Sequence, residues 1–261
     1  MSRGLWDRDT IAWIMVAAIV PVAVAAGREF GMEFLWRLGF CLVVILLWQV
    51  IFLLVRAQPL SPIAGVSALA IAVLAPGTND PLQLALAVSF GTVIGEQIFG
   101  GWGRNFIHPA VAALAFLYIG FPETVHEGAG ELVAVSVVPG AIMLIVLGIL
   151  SWQVLLAAIL GLVAVTLAFG AAPGELLGQG SLAFALVFLI GDPVSSAATR
   201  PGRWIYGLFA GVLAALFGWA DSSIGAPQSI VFAALLASVF APLIDATIIA
   251  LVSRTWRRRH G

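Results

Sequence analysis

The sequence contains no lysine, and all twelve of its basic residues are arginine. Charged residues of either sign make up only 10% of the chain, against about 25% in an ordinary soluble domain. The formal net charge is −1, so the chain lacks the basic excess with which nucleic-acid-binding proteins contact phosphates. These shortages exclude an ordinary soluble domain and argue against nucleic acid as a partner.

Cysteine and histidine are also scarce. The single cysteine, Cys41, lies in an apolar run, so an intrachain disulfide is impossible and we expect a small buried hydrophobic side chain. The three histidines, His108, His126 and His260, are not spaced like metal ligands and have no cysteine near them. We therefore expect no haem, zinc or other metal site.

What the chain does contain is apolar sequence, since hydrophobic residues account for 62% of it. Ten apolar runs between polar breaks are candidate membrane-spanning helices, and the first has no small-residue cleavage site before it, so we expect it to be retained. The runs lie near residues 11–26, 37–55, 63–75, 82–98, 106–120, 133–150, 152–170, 180–191, 203–219 and 228–252. The predicted fold class is an all-α integral membrane protein with about ten transmembrane helices.

The third and eighth runs are too short to cross a bilayer. "IAGVSALAIAVLA" and "SLAFALVFLIGD" offer about a dozen residues each, and each is followed by an Asp-Pro step, at Asp80-Pro81 and Asp192-Pro193. If the ten runs form two sets of five, these two segments occupy equivalent places in their sets. Because each set has an odd number of spans, the second set is inverted in the membrane relative to the first. We predict one membrane domain over residues 1–261, with inverted halves at about 1–125 and 126–261. Coincidence is the alternative, because proline and glycine are common in membrane helices.

The arginines predict the orientation of the chain, because cytoplasmic loops retain an excess of positive charge. The C-terminal "SRTWRRRHG" is then cytoplasmic, and so is the N-terminus in a ten-span chain. The loops that fall on the same side hold Arg200 and Arg203, Arg104, Arg56, and Arg3 and Arg8. The loop with Arg28 and Arg37 is the one exception, because it falls on the outer side although it contains arginine. We predict a multi-pass protein of the lipid bilayer with both termini cytoplasmic.

Two polar breaks interrupt the apolar pattern, "FGGWGRNFIHPAV" at residues 99–111 and "GDPVSSAATRPGRWIYG" at 191–207. Polar backbone at membrane depth is tolerated only where protein buries it or a cavity hydrates it. We predict that both breaks face one cavity and hold a ligand through Gly100, Gly101, Trp102, Gly103, Arg104, Asn105, Asp192, Ser195, Ser196, Thr199 and Arg200. The alternative is a pair of tight turns whose arginines only anchor the inner surface. We expect His108 to make a capping hydrogen bond at the start of the helix that follows.

Two acidic residues lie within or next to apolar runs. Glu96 either handles a proton or cation or pairs with Arg104 eight residues on, and we favour the pairing. Asp245, in "APLIDATIIAL", is the deeper acid, and an unpaired carboxylate among apolar residues is costly. Glu96 and Asp245 are therefore the candidates for an ion pathway.

Three segments resemble a known family: "FGTVIGEQIFGGWGRNFIHPAVAALAFLYIGFP", "GDPVSSAATRPGRWIYGLFAGVL" and "VFAPLID". They are similar to a membrane subunit that two enzymes share, the sodium-translocating NADH:quinone reductase, where it is NqrB, and the Rnf ferredoxin:NAD oxidoreductase, where it is RnfD. The resemblance implies ten spans in two inverted halves, a flavin on the outer side, and a bacterial inner-membrane location. It also implies other membrane and redox subunits as partners.

The chain departs from the family at the expected flavin attachment site. The family links FMN to a threonine in a Ser-Gly-Ala-Thr-Pro-Leu type sequence, and the counterpart here is "EGAGEL", residues 127–132. Gly130 takes the place of the threonine and has no hydroxyl to esterify. We therefore expect a non-covalent flavin (riboflavin or FMN) or a quinone, and no covalent FMN.

Three classes of function remain open. The first is a membrane electron-transfer subunit that passes electrons through a flavin or quinone and moves Na⁺ or H⁺ with partner subunits. The second is a small-solute transporter or channel, because inverted halves with broken helices also build transport sites. The third is a structural subunit of another membrane complex that has lost its redox centre.

Overall fold

The computed structural model describes residues 7–75, 80–122, 128–170, 178–220 and 226–260, and all regular structure within these ranges is helical. The helices are α1 (Arg8–Arg56), α2 (Ala64–Leu74), α3 (Pro81–Gly95), α4 (Pro109–Gly120), α5 (Glu131–Val146), α6 (Trp152–Ala168), α7 (Gly180–Ala185), α8 (Arg200–Ala220) and α9 (Pro227–His260). A 3₁₀ turn, Gln97–Phe99, follows α3, and a π-helical stretch, Leu186–Ile190, continues α7.

Within the described ranges, four helical segments are long and apolar enough to cross a membrane. They are α1, Pro81–Phe99, α8, and residues Pro227–Ser253 of α9. Five shorter apolar helices, between 10 and 17 residues long, accompany them. The protein is therefore an all-α, multi-pass membrane protein, as its composition predicts.

Helix α1 contains a reversal of the chain. Its 49 residues would extend about 74 Å if straight, yet both of its ends contact one loop. The Arg8 side chain lies against Gly101 and Gly103, and Gln58, just past the helix, donates a hydrogen bond to the carbonyl of Gln97 at 3.1 Å. Gly31, with φ +66° and ψ −142°, breaks the helix between two arms that run in opposite directions. The arms coincide with the first and second predicted spans.

Arg37 lies at the Gly31 end of the molecule and is buried against a helix terminus. Its guanidinium donates hydrogen bonds to the carbonyls of Ala72 and Ala75 at the end of α2, at 3.2 and 2.8 Å, and pairs with Glu33 at 3.0 Å. The last carbonyls of a helix have no partner within it and attract cations. Arg37 therefore caps α2, which explains a cation on the side predicted to lack arginine.

The two short segments lie in the core. Helix α2 is buried along nearly its whole length, and so is α7 with its π-helical continuation. Around them, other helices approach closely through glycine: a Cβ atom at Gly211 of α8 would lie 1.9 Å from the carbonyl oxygen of Ala158 in α6. The short third and eighth segments are thus observed, while the ten-span count and the inverted halves remain predictions.

Candidate functional site

The first polar break is a glycine-dependent loop between the 3₁₀ turn and α4. Gly100, Gly101 and Gly103 have φ of 101°, 88° and 91°, a region that residues with a Cβ rarely adopt. Asn105 fixes the loop, because its Oδ1 accepts from the backbone N–H of Gly103 at 3.1 Å and its Nδ2 donates to the carbonyl of Ile107 at 2.8 Å. Asn105 therefore holds the shape of the break through hydrogen bonds from its side chain to the backbone of the break.

His108 ends this loop and caps α4, as the sequence predicts. Its Nδ1 accepts a hydrogen bond from the backbone N–H of Ala110 at 3.2 Å. Because Nδ1 is the acceptor, the neutral ring carries its proton on Nε2. That nitrogen is buried and has no hydrogen-bond partner among the described residues, so His108 presents an unused N–H donor.

The second polar break turns around Asp192, which is buried directly after the π-helical stretch. Its Oδ2 accepts from the backbone N–H groups of Val194 and Ser195, at 3.2 and 2.8 Å, and from Ser195 Oγ at 2.9 Å. Its Oδ1 is also buried and has no partner in the part of the chain that the structure describes. Ser195 thus orients Asp192, and Asp192 presents one unused acceptor.

The two breaks come together in the interior. The charge of Asp192 acts on Glu96 and His108 from the first break and on Tyr206 from α8. Glu96 is buried, accepts a hydrogen bond from Gln97 Nε2 at 3.1 Å, and lies near the backbone N–H of Trp102. We call Glu96, Trp102, His108, Asp192 and Tyr206 the polar centre.

Four side chains of the polar centre have an unused polar atom. Trp102 Nε1, His108 Nε2, Asp192 Oδ1 and the Tyr206 hydroxyl are buried, and none has a hydrogen-bond partner within the described ranges. Leaving a buried polar group unpaired costs about 1–3 kcal/mol, so native structures rarely do so without a reason. The two breaks together contribute four such atoms, which makes the polar centre the best candidate site for a ligand, ion or water.

Several predicted site residues lie outside the polar centre. Arg104 and Arg200 are exposed, and Ser196 and Thr199 are partly exposed. The expected pairing of Glu96 with Arg104 does not form between these described residues; the cation whose charge acts on Glu96 is Arg8.

Asp245 of α9 lies next to the end of the second break. Its Oδ2 accepts from the backbone N–H of Ala198 at 2.7 Å, and its Oδ1 accepts from Thr199, from the backbone N–H at 3.1 Å and from Oγ1 at 2.5 Å. This carboxylate therefore stabilises the conformation of the segment that leads into α8. A part in an ion pathway stays a prediction for Asp245.

Two members of the polar centre are not predicted from the sequence. His108 is predicted only to cap a helix, and Tyr206 is given no role. A signal is present for Tyr206, because it is one of two tyrosines in the chain and lies two turns into an apolar helix, where its hydroxyl needs a partner. Its full burial depends on how α8 packs, which the sequence does not display.

Comparison with known proteins agrees with the motifs. The model of the NQR2, RnfD, RnfE family matches residues 5–129 and 123–252. Curated relatives include the NqrB subunit of the Na⁺-translocating NADH-quinone reductase from Stutzerimonas stutzeri, Chromohalobacter salexigens and Yersinia pestis, and these are 28%, 29% and 29% identical to this chain. The matches cover 76%, 76% and 77% of this chain and 62%, 61% and 63% of the relatives, so the chain spans about three fifths of their length. The family match covers most of the sequence, and the chain belongs to the NQR2, RnfD, RnfE family.

Proposed function

We propose that this protein is a membrane subunit of a multi-subunit redox complex that couples electron transfer to the movement of Na⁺ or H⁺. The family and the curated relatives, named as subunits of a Na⁺-translocating NADH-quinone reductase, support this proposal. Other membrane and redox subunits are then its partners. The proposed layout is ten spans in two inverted halves, 1–125 and 126–261, with both termini cytoplasmic in the bacterial inner membrane.

The observation that carries the proposed site is the set of four buried, unpartnered polar atoms in the polar centre. Trp102 Nε1 and His108 Nε2 are donors, the Tyr206 hydroxyl can donate, and Asp192 Oδ1 is an acceptor. A ligand that satisfies them carries carbonyl oxygens beside an N–H group. The pyrimidine edge of a flavin has this arrangement, whereas a quinone has only acceptors and would leave the Asp192 oxygen without a donor. We therefore favour a non-covalent flavin over a quinone.

The start of α5 supports the absence of covalent FMN. Gly130 precedes the first residue of α5, and its backbone N–H donates a hydrogen bond to the carboxylate of Glu29. A Cβ atom at Gly130 would lie 2.8 Å from that carboxylate oxygen. A negative charge of the protein itself thus occupies the positive end of this helix, where it repels a phosphate. Glu127, the first residue of the "EGAGEL" segment, lies outside the described residues.

Glu96 is our candidate for the coupling of charge movement to redox chemistry. It is buried within range of the charge of Asp192, and two buried carboxylates that interact are stabilised by a shared proton or a bound cation. Arg8 is the cation whose charge acts on Glu96. We propose that Glu96 takes up the proton or Na⁺ and that Asp192 bridges it to the flavin.

The test is the amount of flavin per mole of folded protein in the purified complex. Asp192→Asn places a donor where the ligand's N–H must point, so we expect at least a tenfold loss of flavin, and Tyr206→Phe a smaller loss. Tyr118→Phe is the matched control, because Tyr118 is the other tyrosine and its hydroxyl instead donates to the carbonyl of Leu74. Arg104→Gln should also retain the flavin, since that side chain is exposed.

Three outcomes would count against the proposal. Equal flavin in all variants would place the cofactor elsewhere. A wild-type protein with no flavin, in an otherwise intact complex, would favour a structural subunit or a transporter. An FMN mass retained on the chain after acid denaturation would contradict the non-covalent assignment.

A further inference from the structure

An apolar groove runs along the outside of α3 and α4. It encloses about 420 Å³ and is closed on one side by Leu235 of α9. Its aromatic lining consists of two ring pairs: Phe90 stacks on Phe116 with centroids 4.9 Å apart, and Phe99 meets Phe106 edge to face at 5.1 Å. Phe90, Phe99 and Phe106 are each more than a third exposed. The groove therefore opens sideways, toward the lipid.

The dimensions of the groove favour a hydrocarbon chain over a protein helix. Its α4 side extends from Ala112 to Gly120, which is about 12 Å along the helix axis. A stretch of α-helix of that length, about 10–12 Å across with its side chains, occupies roughly 900–1,400 Å³, more than twice the volume of the groove. A single acyl chain is narrow enough.

Arg104 supplies a positive charge in the loop beside the groove. The Arg104 side chain folds over Gly100, and its Nη1 would lie 3.1 Å from a Cβ atom there. Arg104 is exposed, and its guanidinium makes no hydrogen bond or ion pair with any described residue. In the chain it lies between Phe99 and Phe106, the edge-to-face pair of the groove. Guanidinium groups bind phosphate oxygens in bidentate fashion, and basic sites at the ends of membrane helices attract anionic headgroups.

We propose that this groove and Arg104 form a binding site for an anionic phospholipid. One acyl chain lies along the four phenylalanine rings, and Arg104 contacts the headgroup phosphate at the membrane surface. The headgroup carries a net negative charge, since a zwitterionic lipid would set its own cation near the arginine. Under this proposal Arg104 binds a lipid headgroup and does not belong to the ligand site that the sequence pattern predicts for it.

Native mass spectrometry of the purified full chain with equal amounts of phosphatidylglycerol and phosphatidylcholine tests the site. We expect one phosphatidylglycerol retained per chain at a preference of at least tenfold. Arg104→Glu should abolish that preference, and Arg104→Lys should keep most of it. Arg200→Glu is the matched control, because Arg200 is also exposed but belongs to α8, none of whose residues lines the groove; it should behave like the wild type.

A second variant separates the acyl chain from the headgroup. Ala115 lines the groove and is buried, so Ala115→Leu should reduce the retention of both lipids equally while the protein still elutes as a folded species. Unchanged phosphatidylglycerol retention in Arg104→Glu would overturn the proposal. So would recovery of a quinone instead of a phospholipid, lost on Ala115→Leu but not on Arg104→Glu.

Discussion

Asp245 shows how a single carboxylate can hold an irregular segment in place. It reaches from α9 to the two residues that precede α8, and it accepts two backbone N–H groups and one hydroxyl there. The first N–H groups of a helix have no partner within the helix, and an anion is favoured at that end. The non-helical part of the second polar break is therefore anchored at both ends, by Asp192 where it begins and by Asp245 just before α8.

Asp245→Asn should lower the free energy of unfolding by about 2–3 kcal/mol. The amide keeps one acceptor and loses the charge, and hydrogen bonds to charged groups contribute about 1.5–3 kcal/mol each. Denaturant titration in mixed micelles measures the change. Thr247→Val is the control, because the Thr247 side chain is exposed and its hydroxyl bonds to the carbonyl of Ile244 in the same helix; it should stay within about 0.5 kcal/mol of the wild type. An unchanged stability in Asp245→Asn would contradict the anchoring role and leave the ion-pathway prediction as the reason for this acid.

The sequence indicates which segments are polar more reliably than which side chains face inward. The two breaks are recognisable because polar residues interrupt apolar runs, and Asp192 and Trp102 are buried, as a ligand site needs. Arg104 and Arg200 belong to the same breaks but are exposed. Long arginine side chains extend toward water whenever the surface is within reach, so their place in a motif does not fix their direction. The direction comes from the turn around each residue, which three positive-φ glycines set in the first break.

At the scale of helices, segment length is the most informative property. The shortness of α2 and α7 follows from the distance between their polar flanks, and the reversal inside α1 follows from the polar residues around Gly31. The π-helical stretch Leu186–Ile190 is not predictable from the sequence. It ends where the N–H of Gly191 bonds to the carbonyl of Leu186, and a Cβ atom at Gly191 would lie 2.3 Å from the Leu150 side chain. The stretch thus depends on a neighbour that is distant in sequence, and it sets the direction in which Asp192 enters the polar centre.

Helix α8 depends on glycine for its contact with α6. Gly211→Ala would bring a Cβ atom within 1.9 Å of the Ala158 carbonyl oxygen, a backbone atom that a rotamer change cannot move. We expect a loss of about 1–3 kcal/mol in the free energy of unfolding, as for other overpacked cores. Gly39→Ala is the matched control, since a Cβ atom at Gly39 of α1 meets nothing within 4 Å. That change should be neutral or stabilise by up to about 1 kcal/mol. Equal stability of the two variants would show that α6 and α8 are not in close contact.

For the whole molecule, the contacts divide the helix ends into two sets. Arg8, Gln58 and the first polar break lie together, and the charge of Asp192 links the second break to them. The opposite set contains Gly31, the end of α2 with Arg37, and the start of α5, where Gly130 contacts Glu29. Tyr118, near the end of α4, bonds to Leu74 and therefore belongs to the second set. The arginines of the two polar breaks therefore belong to the first set of helix ends. The second set contains the buried Arg37, which caps a helix.

This division predicts which residues face the cytoplasm, because the end that holds the arginines of the polar breaks is retained inside. Cys41 is buried, so Cys41→Ala gives a cysteine-free background for labelling. In that background, Asp9→Cys places a thiol at the first set of helix ends and Met32→Cys, next to Gly31, places one at the second; both positions are exposed. A membrane-impermeant thiol reagent added to intact cells should label Met32→Cys and leave Asp9→Cys unmodified, while inside-out vesicles should give the opposite result.

Labelling of both from one side would show that the first arm of α1 does not separate two aqueous compartments, and labelling of Asp9→Cys alone in intact cells would invert the proposed orientation. Gly261 lies outside the described residues, and a tag fused there tests the C-terminus in the same cells: it should be inaccessible wherever Asp9→Cys is.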